Sequence, residues 1–313
     1  MSVTGATELT IKVAPSAVHI GAEISGVDLT RTLADDQVAV IRQALLDRKV
    51  VFFSNQHLDH GQHVAFARQF GAPTPAHVVF GGQDPHHPEI YSVAKFRTAN
   101  TNREAAMVRP WSGWHTDITA AINPPGASIL RGVTVPPYGG DTQWTNLAAA
   151  YRALSPTMQT FLEGLRGVHR FVPPEPDKGP TAYEDAVNKR LMVSEHPLVT
   201  VHPETGEKVL YANPGFLRSI VGLTPQESQN IMTMLFEHII RPEFTVRFRW
   251  EPGSIAFWDN RATAHLAPTD IYDTEFDRQF YRVTLMGDVP VGADGLPSTA
   301  LEGEPIEPAT PSA

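Results

Sequence analysis

Residues 244–250 read FTVRFRW, an unbroken alternation with Phe244, Val246, Phe248 and Trp250 on one side and Thr245, Arg247 and Arg249 on the other. Successive side chains of a strand point to opposite faces, so this segment specifies a strand with one face on a core and one toward water. Further strand candidates are RKVVFFS at 48–54, ASILRGVTV at 127–135, PLVTVH at 197–202, SIAFWD at 254–259 and FYRVTLMG at 280–287. PETGE at 203–207 predicts a hairpin turn. Helical signals are fewer. Thr224-Pro225-Gln226-Glu227 supplies an N-cap, a proline at the first helical position and a glutamate at the third. Ile231, Met234, Leu235 and Ile239 follow at helical spacing. Ser155-Pro156 predicts a second helix start, and Ala34 to Asp47 a third helix with Val38, Ile41 and Leu45 on one face. A doubly wound fold needs regular strand–helix alternation and a Gly-rich first turn. The chain has neither, so the expectation is mainly β with peripheral helices, a jelly-roll double sheet.

A length of 313 residues sets a prior of about two domains. No repeat and no dividing linker is present, and a single domain is expected over 9–290. The ends, 1–8 and the Pro- and acid-rich 291–313, are expected to be flexible. With 25 basic and 34 acidic side chains the net charge is −9, so no basic stripe points to nucleic acid or an anionic membrane. No apolar run approaches the length of a membrane span, and the first ten residues lack the basic and apolar regions of a signal peptide; a cytoplasmic location is expected. Cysteine is absent, which excludes disulfides, thiolate nucleophiles, Cys-based zinc sites and protein-ligated iron–sulfur clusters.

A metal site in such a chain must use histidine and carboxylate. Of thirteen histidines, most read as loop, surface or structural residues, among them His57, His60, His63, His86, His87, His196, His202 and His238. Trp114-His115-Thr116-Asp117 differs, because on a strand residues i and i+2 project to the same side. His265, just after the strand candidate SIAFWD, can supply a third ligand. Two histidines and one carboxylate form the facial triad of non-haem Fe(II) oxygenases, which leaves positions open for co-substrate and dioxygen. A bare His-x-Asp also occurs by chance, and a hydrogen-bonded surface pair is the plain alternative.

Further segments bear on that choice: GAEISGVDL near the start, WHTD, GGDT at 139–142, HPETG, TPQES, RFRWEPGSIAFWDNRATAH and RVTLMGDVP. From about residue 19 to 290 the chain resembles the taurine dioxygenase branch of the Fe(II)/2-oxoglutarate-dependent dioxygenases, which includes alkylsulfatases and phenoxyalkanoate dioxygenases. The resemblance implies a double-stranded β-helix, with Fe(II), 2-oxoglutarate and O2 as the reactive partners. It implies His115, Asp117 and His265 as iron ligands, with Thr142 of GGDT and Arg278 on the distal carboxylate of 2-oxoglutarate. The assignment of Arg278 rests on its spacing to Arg282, since the loop from His265 is about two residues longer than the family pattern.

By the same resemblance, Arg282, His77 and the backbone N–H of Ile118 seat the anionic head of the substrate. Two positions depart from the taurine pattern. Trp111 and Phe80 stand where that pattern has an amide and a tyrosine, which removes oxygen partners for an ammonium group and offers apolar surface instead. Packing in the core or a lid is the alternative for both. Tyr211 and Phe216 are candidates for the same pocket, whereas Trp250 and Trp258 read as barrel core. The expected reaction is hydroxylation of the carbon next to the anionic group of a small organic sulfate ester or sulfonate. It gives an aldehyde plus sulfate or sulfite, with succinate and CO2. A phenoxyalkanoate-type carboxylate is the alternative substrate, and a non-catalytic jelly-roll binding protein the alternative from another class. Family members are often dimers or tetramers, and a homo-oligomer is expected.

Overall fold

The computed structural model describes residues 10–77, 84–97, 106–107, 113–171 and 190–310. The first part of the chain forms β1 (Lys12–Pro15), β2 (Ala22–Ser25), α1 (Asp35–Arg48), β3 (Val50–Phe53), α2 (His60–Arg68) and β4 (Tyr91–Ala94). A short pair, β5 (Phe96–Arg97) and β6 (Ala106–Met107), precedes β7 (Ala127–Thr134), β8 (Thr142–Asn146), α3 (Leu147–Arg152) and α4 (Pro156–Glu163). Next come β9 (Arg166–Arg170), β10 (Val193–Pro197), β11 (Val199–Val201), β12 (Lys208–Leu210), β13 (Leu217–Ile220) and α5 (Pro225–Ile239). The last strands are β14 (Thr245–Phe248), β15 (Ile255–Asp259), β16 (Thr263–Leu266), β17 (Gln279–Leu285) and β18 (Thr299–Glu302).

Two of the sheets make the jelly roll. One has seven strands in the order β1-β2-β3-β15-β7-β17-β4, and the other has three, β14-β8-β16. Alternation decides which core each side chain joins. From the seven-stranded sheet, Val50, Phe52, Leu130, Ala256, Trp258 and Phe280 point inward with Trp144 of β8, and Val246 and Phe248 of β14 pack against them. The intervening residues Val51, Phe53, Ile129, Ile255, Phe257 and Val283 point outward and meet Ile41 and Leu45 of α1 and Val64 and Phe66 of α2. Both faces are therefore covered, which is why these strands read as continuous apolar runs. Trp144 and Trp258 are essentially inaccessible to solvent, with ring centroids 5.6 Å apart.

The caps form as their residues dictate. Thr224 and Glu227 close a capping box at the start of α5, and Ser155 accepts from the Met158 N–H at the start of α4. The PETGE segment joins β11 and β12, which pair antiparallel with Val201 opposite Lys208. FTVRFRW is shorter as a strand than its pattern suggests, because Phe244 closes a 3-10 turn begun by Pro242.

The end of the chain differs from the expectation of a flexible tail. Through residue 310 it is built into the structure. β18 pairs with β10, placing Ser194 opposite Ala300. Beyond it, the Asn123 amide grips the Ile306 backbone, accepting its N–H at 2.8 Å and donating to its carbonyl at 3.0 Å. Ile306 is buried in a cluster with Ile118, Met192 and Phe216, and the Ala309 N–H donates to the Pro73 carbonyl at 2.9 Å. The segment has too few apolar residues to form a core of its own but docks on a surface the rest of the chain supplies. Asn123→Ala should accordingly cost about 1–2 kcal/mol of unfolding free energy in urea, because two main-chain groups lose their partners. Limited proteolysis should then cut within 303–310 faster than in the parent protein.

Candidate active site

The two histidines of the sequence motif are brought together by the backbone. His115 and His265 form an isolated antiparallel bridge, each N–H donating to the other's carbonyl, at 2.9 and 2.7 Å. Their ring centroids lie 4.2 Å apart. Asp117, two residues on, joins them, and one donor atom from each of His115, Asp117 and His265 lies within 4.8 Å of the other two. Among the described residues this is the one group of ligating side chains that converges so. The turn from β15 to β16, which crosses between the two sheets and delivers His265, is tied down: the Asp259 carbonyl accepts from Thr263 Oγ1, and its carboxylate accepts from the Arg261 N–H and guanidinium. Thr116 Oγ1 donates to the Thr263 carbonyl at 2.7 Å, a second stitch between the segments.

The donor set fits a divalent transition metal. Burial holds both imidazoles below the usual histidine range, so both are neutral ligands near neutral pH, with His265 further lowered by His115. His265 Nδ1 is buried and makes no hydrogen bond. Burial alone would raise the Asp117 carboxyl, but Arg282, His265 and His115 together with the Ser128 hydroxyl hold it well below the ordinary carboxylate range. It is therefore an anion whenever the protein is folded near neutral pH. Ser128 Oγ donates to Asp117 Oδ2 at 2.7 Å and accepts from Asn260 Nδ2 at 2.9 Å, while Asn260 Oδ1 accepts from Trp258 Nε1 at 2.9 Å. Sequence reading missed Ser128 and Asn260. The available signal was a hydroxyl inside the otherwise apolar run ASIL. Trp258 is core, as expected, and also the anchor of this chain of donors.

Arg278 is buried, 6% exposed, stacked with Cζ 3.8 Å from the centre of the Phe280 ring. Among the described residues nothing accepts a hydrogen bond from its guanidinium, and burial pushes its pKa down to about 10 despite the nearby Tyr272 and Asp270. A buried guanidinium whose hydrogen bonds are unmade is costly, so the position is suited to receive an anion. Phe280 in turn meets Trp250 edge-on at 4.7 Å, and Trp250 Nε1 donates to Thr142 Oγ1 at 2.9 Å. The rings therefore link the two residues nominated for 2-oxoglutarate.

Arg282 lies on β17, four residues beyond Arg278. Its Nη1 donates to Asp117 Oδ1 at 2.6 Å, its Nε is buried without a partner, and its Cζ lies 5.4 Å from the centre of the Tyr91 ring. His77 packs on the same ring at 5.0 Å, so Tyr91, a residue sequence reading passed over, joins the two side chains nominated for the substrate anion. Ile118 holds φ +46°, a left-handed conformation rare for a β-branched residue. Nothing among the described residues accepts its N–H. The turn it opens is fixed at Thr119, whose carbonyl accepts from His196 Nε2 at 2.8 Å and whose hydroxyl lies 2.9 Å from His169 Nδ1 and 3.2 Å from Asn213 Nδ2. Phe216 is buried in an apolar cluster with Ile118. Tyr211 is placed differently: it lines a cavity of about 460 Å³ with His202, Asn260 and Val289, which none of the three ligand residues borders. Phe80 and Trp111 lie outside the described residues.

Known proteins share this chain's pattern. A family model described as taurine catabolism dioxygenase TauD, TfdA family, matches residues 12–284. An alpha-ketoglutarate-dependent sulfate ester dioxygenase of Pseudomonas putida is 39% identical over 304 residues, spanning 94% of this chain and 96% of the relative. An alkylsulfatase of Acinetobacter baylyi is 38% identical over 290 residues, spanning 89% and 86%. A solved structure of a taurine dioxygenase from Burkholderia xenovorans is 61% identical, with TM-score 0.81, covering 94% of this chain and 96% of that one.

Ser128→Ala should leave the fold intact and lower affinity for a divalent metal by about 10–100-fold, because Asp117 loses the hydroxyl that orients it; competition with a chromophoric chelator measures this. A second expectation concerns pH. Burial holds His196 at about 4, below the roughly 6.5 of an unfolded chain. The unfolded state therefore binds more protons between those values, and the contribution of His196 to stability is full above pH 6.5 and lost as pH falls toward 4. Urea unfolding at pH 7.5 and pH 5 should show the decline, and His196→Gln should flatten it.

Proposed function

Since the chain belongs to the TauD/TfdA dioxygenase family, we propose that it is an Fe(II)- and 2-oxoglutarate-dependent dioxygenase of small organic sulfate esters or sulfonates. The observation that carries this reading is the convergence of His115, Asp117 and His265 on a backbone bridge. In this reading the three residues hold Fe(II), which supplies the redox chemistry that couples decarboxylation of the co-substrate to hydroxylation of a C–H bond.

The protein's own task is placement. Arg278 holds the distal carboxylate of 2-oxoglutarate by a charge-assisted pair, and Thr142 supplies the neighbouring hydroxyl. Arg282, with an unused Nε beside Asp117, meets the substrate's anionic head together with His77 and the Ile118 N–H. That seat fixes the carbon next to the head group at the ligand cluster, where orientation counts for most. The hydroxylated carbon then bears both a hydroxyl and the sulfate or sulfonate. As the hydroxyl loses its proton, the bond to the anionic group breaks, leaving an aldehyde and sulfate or sulfite. One O2 and one 2-oxoglutarate are consumed, giving succinate and CO2. The apolar Phe80 and Trp111 suit an alkyl or aryl tail better than the ammonium of taurine.

A panel of hexyl sulfate, hexanesulfonate, taurine and phenoxyacetate, scored by succinate and aldehyde release, tests the substrate class. Each buried methylene is worth about 0.8 kcal/mol, so hexyl sulfate should exceed taurine in kcat/KM at least tenfold. A preference for phenoxyacetate would transfer the reading to carboxylate substrates. Within the same assay Arg278→Leu should abolish succinate formation with every substrate. Arg282→Leu should retain 2-oxoglutarate binding and raise KM for the anionic substrate at least tenfold. Exchange of those two phenotypes would exchange the two assignments.

A further inference from the structure

Lys95, just beyond β4, is wholly buried, although lysine seldom is unless its ammonium is met by polar groups. Its Nζ donates to three main-chain carbonyls: Ile271 at 2.7 Å, Thr274 at 2.5 Å and Phe276 at 3.0 Å. All three belong to the loop 267–278 that leads from the β16 strand of His265 to Arg278. The Lys95 backbone N–H donates to the Arg278 carbonyl at 3.0 Å, beside the first pair of the β17–β4 ladder, Gln279 and Ala94. One residue therefore fixes this loop at four points, the last of them Arg278 itself.

The near end of the loop is tied to the GGDT turn. The Gly140 N–H donates to Asp270 Oδ1 at 3.0 Å. Gly139 and Gly140 take left-handed conformations so close to Ile271 that a Cβ on either would meet its Cγ2 at 3.2 or 3.3 Å. Thr142 follows two residues later. The loop is thus held between the two residues assigned to 2-oxoglutarate. A guanidinium meets a carboxylate in a planar, directional pair, so its use depends on where its own backbone is fixed. Loops ordinarily leave such positions variable.

We propose that Lys95 is a positioning residue for the co-substrate site: its ammonium gathers the 271–276 carbonyls and so sets the depth and angle at which Arg278 meets the distal carboxylate of 2-oxoglutarate. The proposal rests on the co-substrate reading of Arg278. Lysine suits the task because three donors radiate from one small centre, whereas the flat fork of arginine cannot converge on three carbonyls of one turn.

Lys95→Met keeps most of the stem and removes the ammonium. With Mn(II)-loaded protein, calorimetry should show the 2-oxoglutarate Kd rising at least tenfold. Mn(II) affinity should stay within threefold of the parent, as should KM for hexyl sulfate in the Fe(II) enzyme. Hydrogen exchange of the metal-free protein gives a readout independent of turnover: peptides covering 270–278 should lose protection while those covering 113–121 and 255–265 keep it. Arg278→Leu is titrated alongside. If it loses 2-oxoglutarate while Lys95→Met binds normally, the positioning role is overturned and the co-substrate reading stands. If Arg278→Leu binds 2-oxoglutarate like the parent, the co-substrate reading falls and this inference with it. Equal losses of metal, substrate and co-substrate affinity in Lys95→Met would signal a general packing defect and also overturn the role. Should Lys95→Met not fold, Lys95→Gln, which retains two donors, must show the same selective loss of at least threefold; an unchanged 2-oxoglutarate Kd would overturn the proposal.

Discussion

The two hydrogen bonds exchanged between the backbones of His115 and His265 are the constraint on which the site depends. They fix the separation of two imidazoles that the chain places 150 residues apart, and they do so before any metal is considered. Asp117 inherits its position from the same bridge, because it lies two residues along an extended segment stitched to Thr263 through Thr116. Beyond Asp117 the left-handed Ile118 turns the chain, and the Thr119 contacts to His169, His196 and Asn213 hold the turn. A site so built is pre-organised by main-chain geometry, and a metal that binds it has little ordering left to impose.

Charge is arranged around that frame with equal economy. Asp117 is buried yet ionised, since Arg282 and a hydroxyl meet its two oxygens separately. Arg278 is buried, and although Asp270 is near enough to favour its charge, nothing among the described residues accepts a hydrogen bond from its guanidinium. The first arrangement is satisfied internally, and the second leaves the hydrogen bonds of the guanidinium unmade among the described residues. The two arginines, four residues apart at and just before β17, therefore differ in kind: Arg282 is paired with Asp117, and Arg278 is not paired with any carboxylate by a hydrogen bond among the described residues. Between them the register of β17 on β7 is irregular at Gln279 and Phe280, and Arg278 lies over the Phe280 ring.

The tail shows how an apolar-poor segment can still be ordered. Val291 onward reads as too polar to form a core, and it forms none of its own. It adds a strand to an existing sheet edge through β18 and β10, and it inserts one side chain, Ile306, into a cluster made by other parts of the chain. Main-chain hydrogen bonding and a few apolar contacts, Ala293 and Ile306 among them, order it where the receiving surface is already built.

Strand alternation and capping residues are local properties, so the sequence by itself determined most elements: the row Val246, Phe248 and Trp250, the capped helices at Ser155 and Thr224, and the hairpin at 203–207 all stand where their residues require. The iron-ligand candidates were legible too, because His115 and Asp117 are near in sequence and His265 closes a recognisable run. What only the tertiary structure decided involves groups far apart in the chain. Ser128 and Asn260 orient Asp117 across two strands, and Tyr91 joins His77 to Arg282. Tyr211 turns to a different cavity, and Lys95 grips a loop some 176 residues away. None of these leaves a period or a spacing in the sequence, since a hydrogen bond between distant segments depends on how sheets face each other and not on what stands next in the chain.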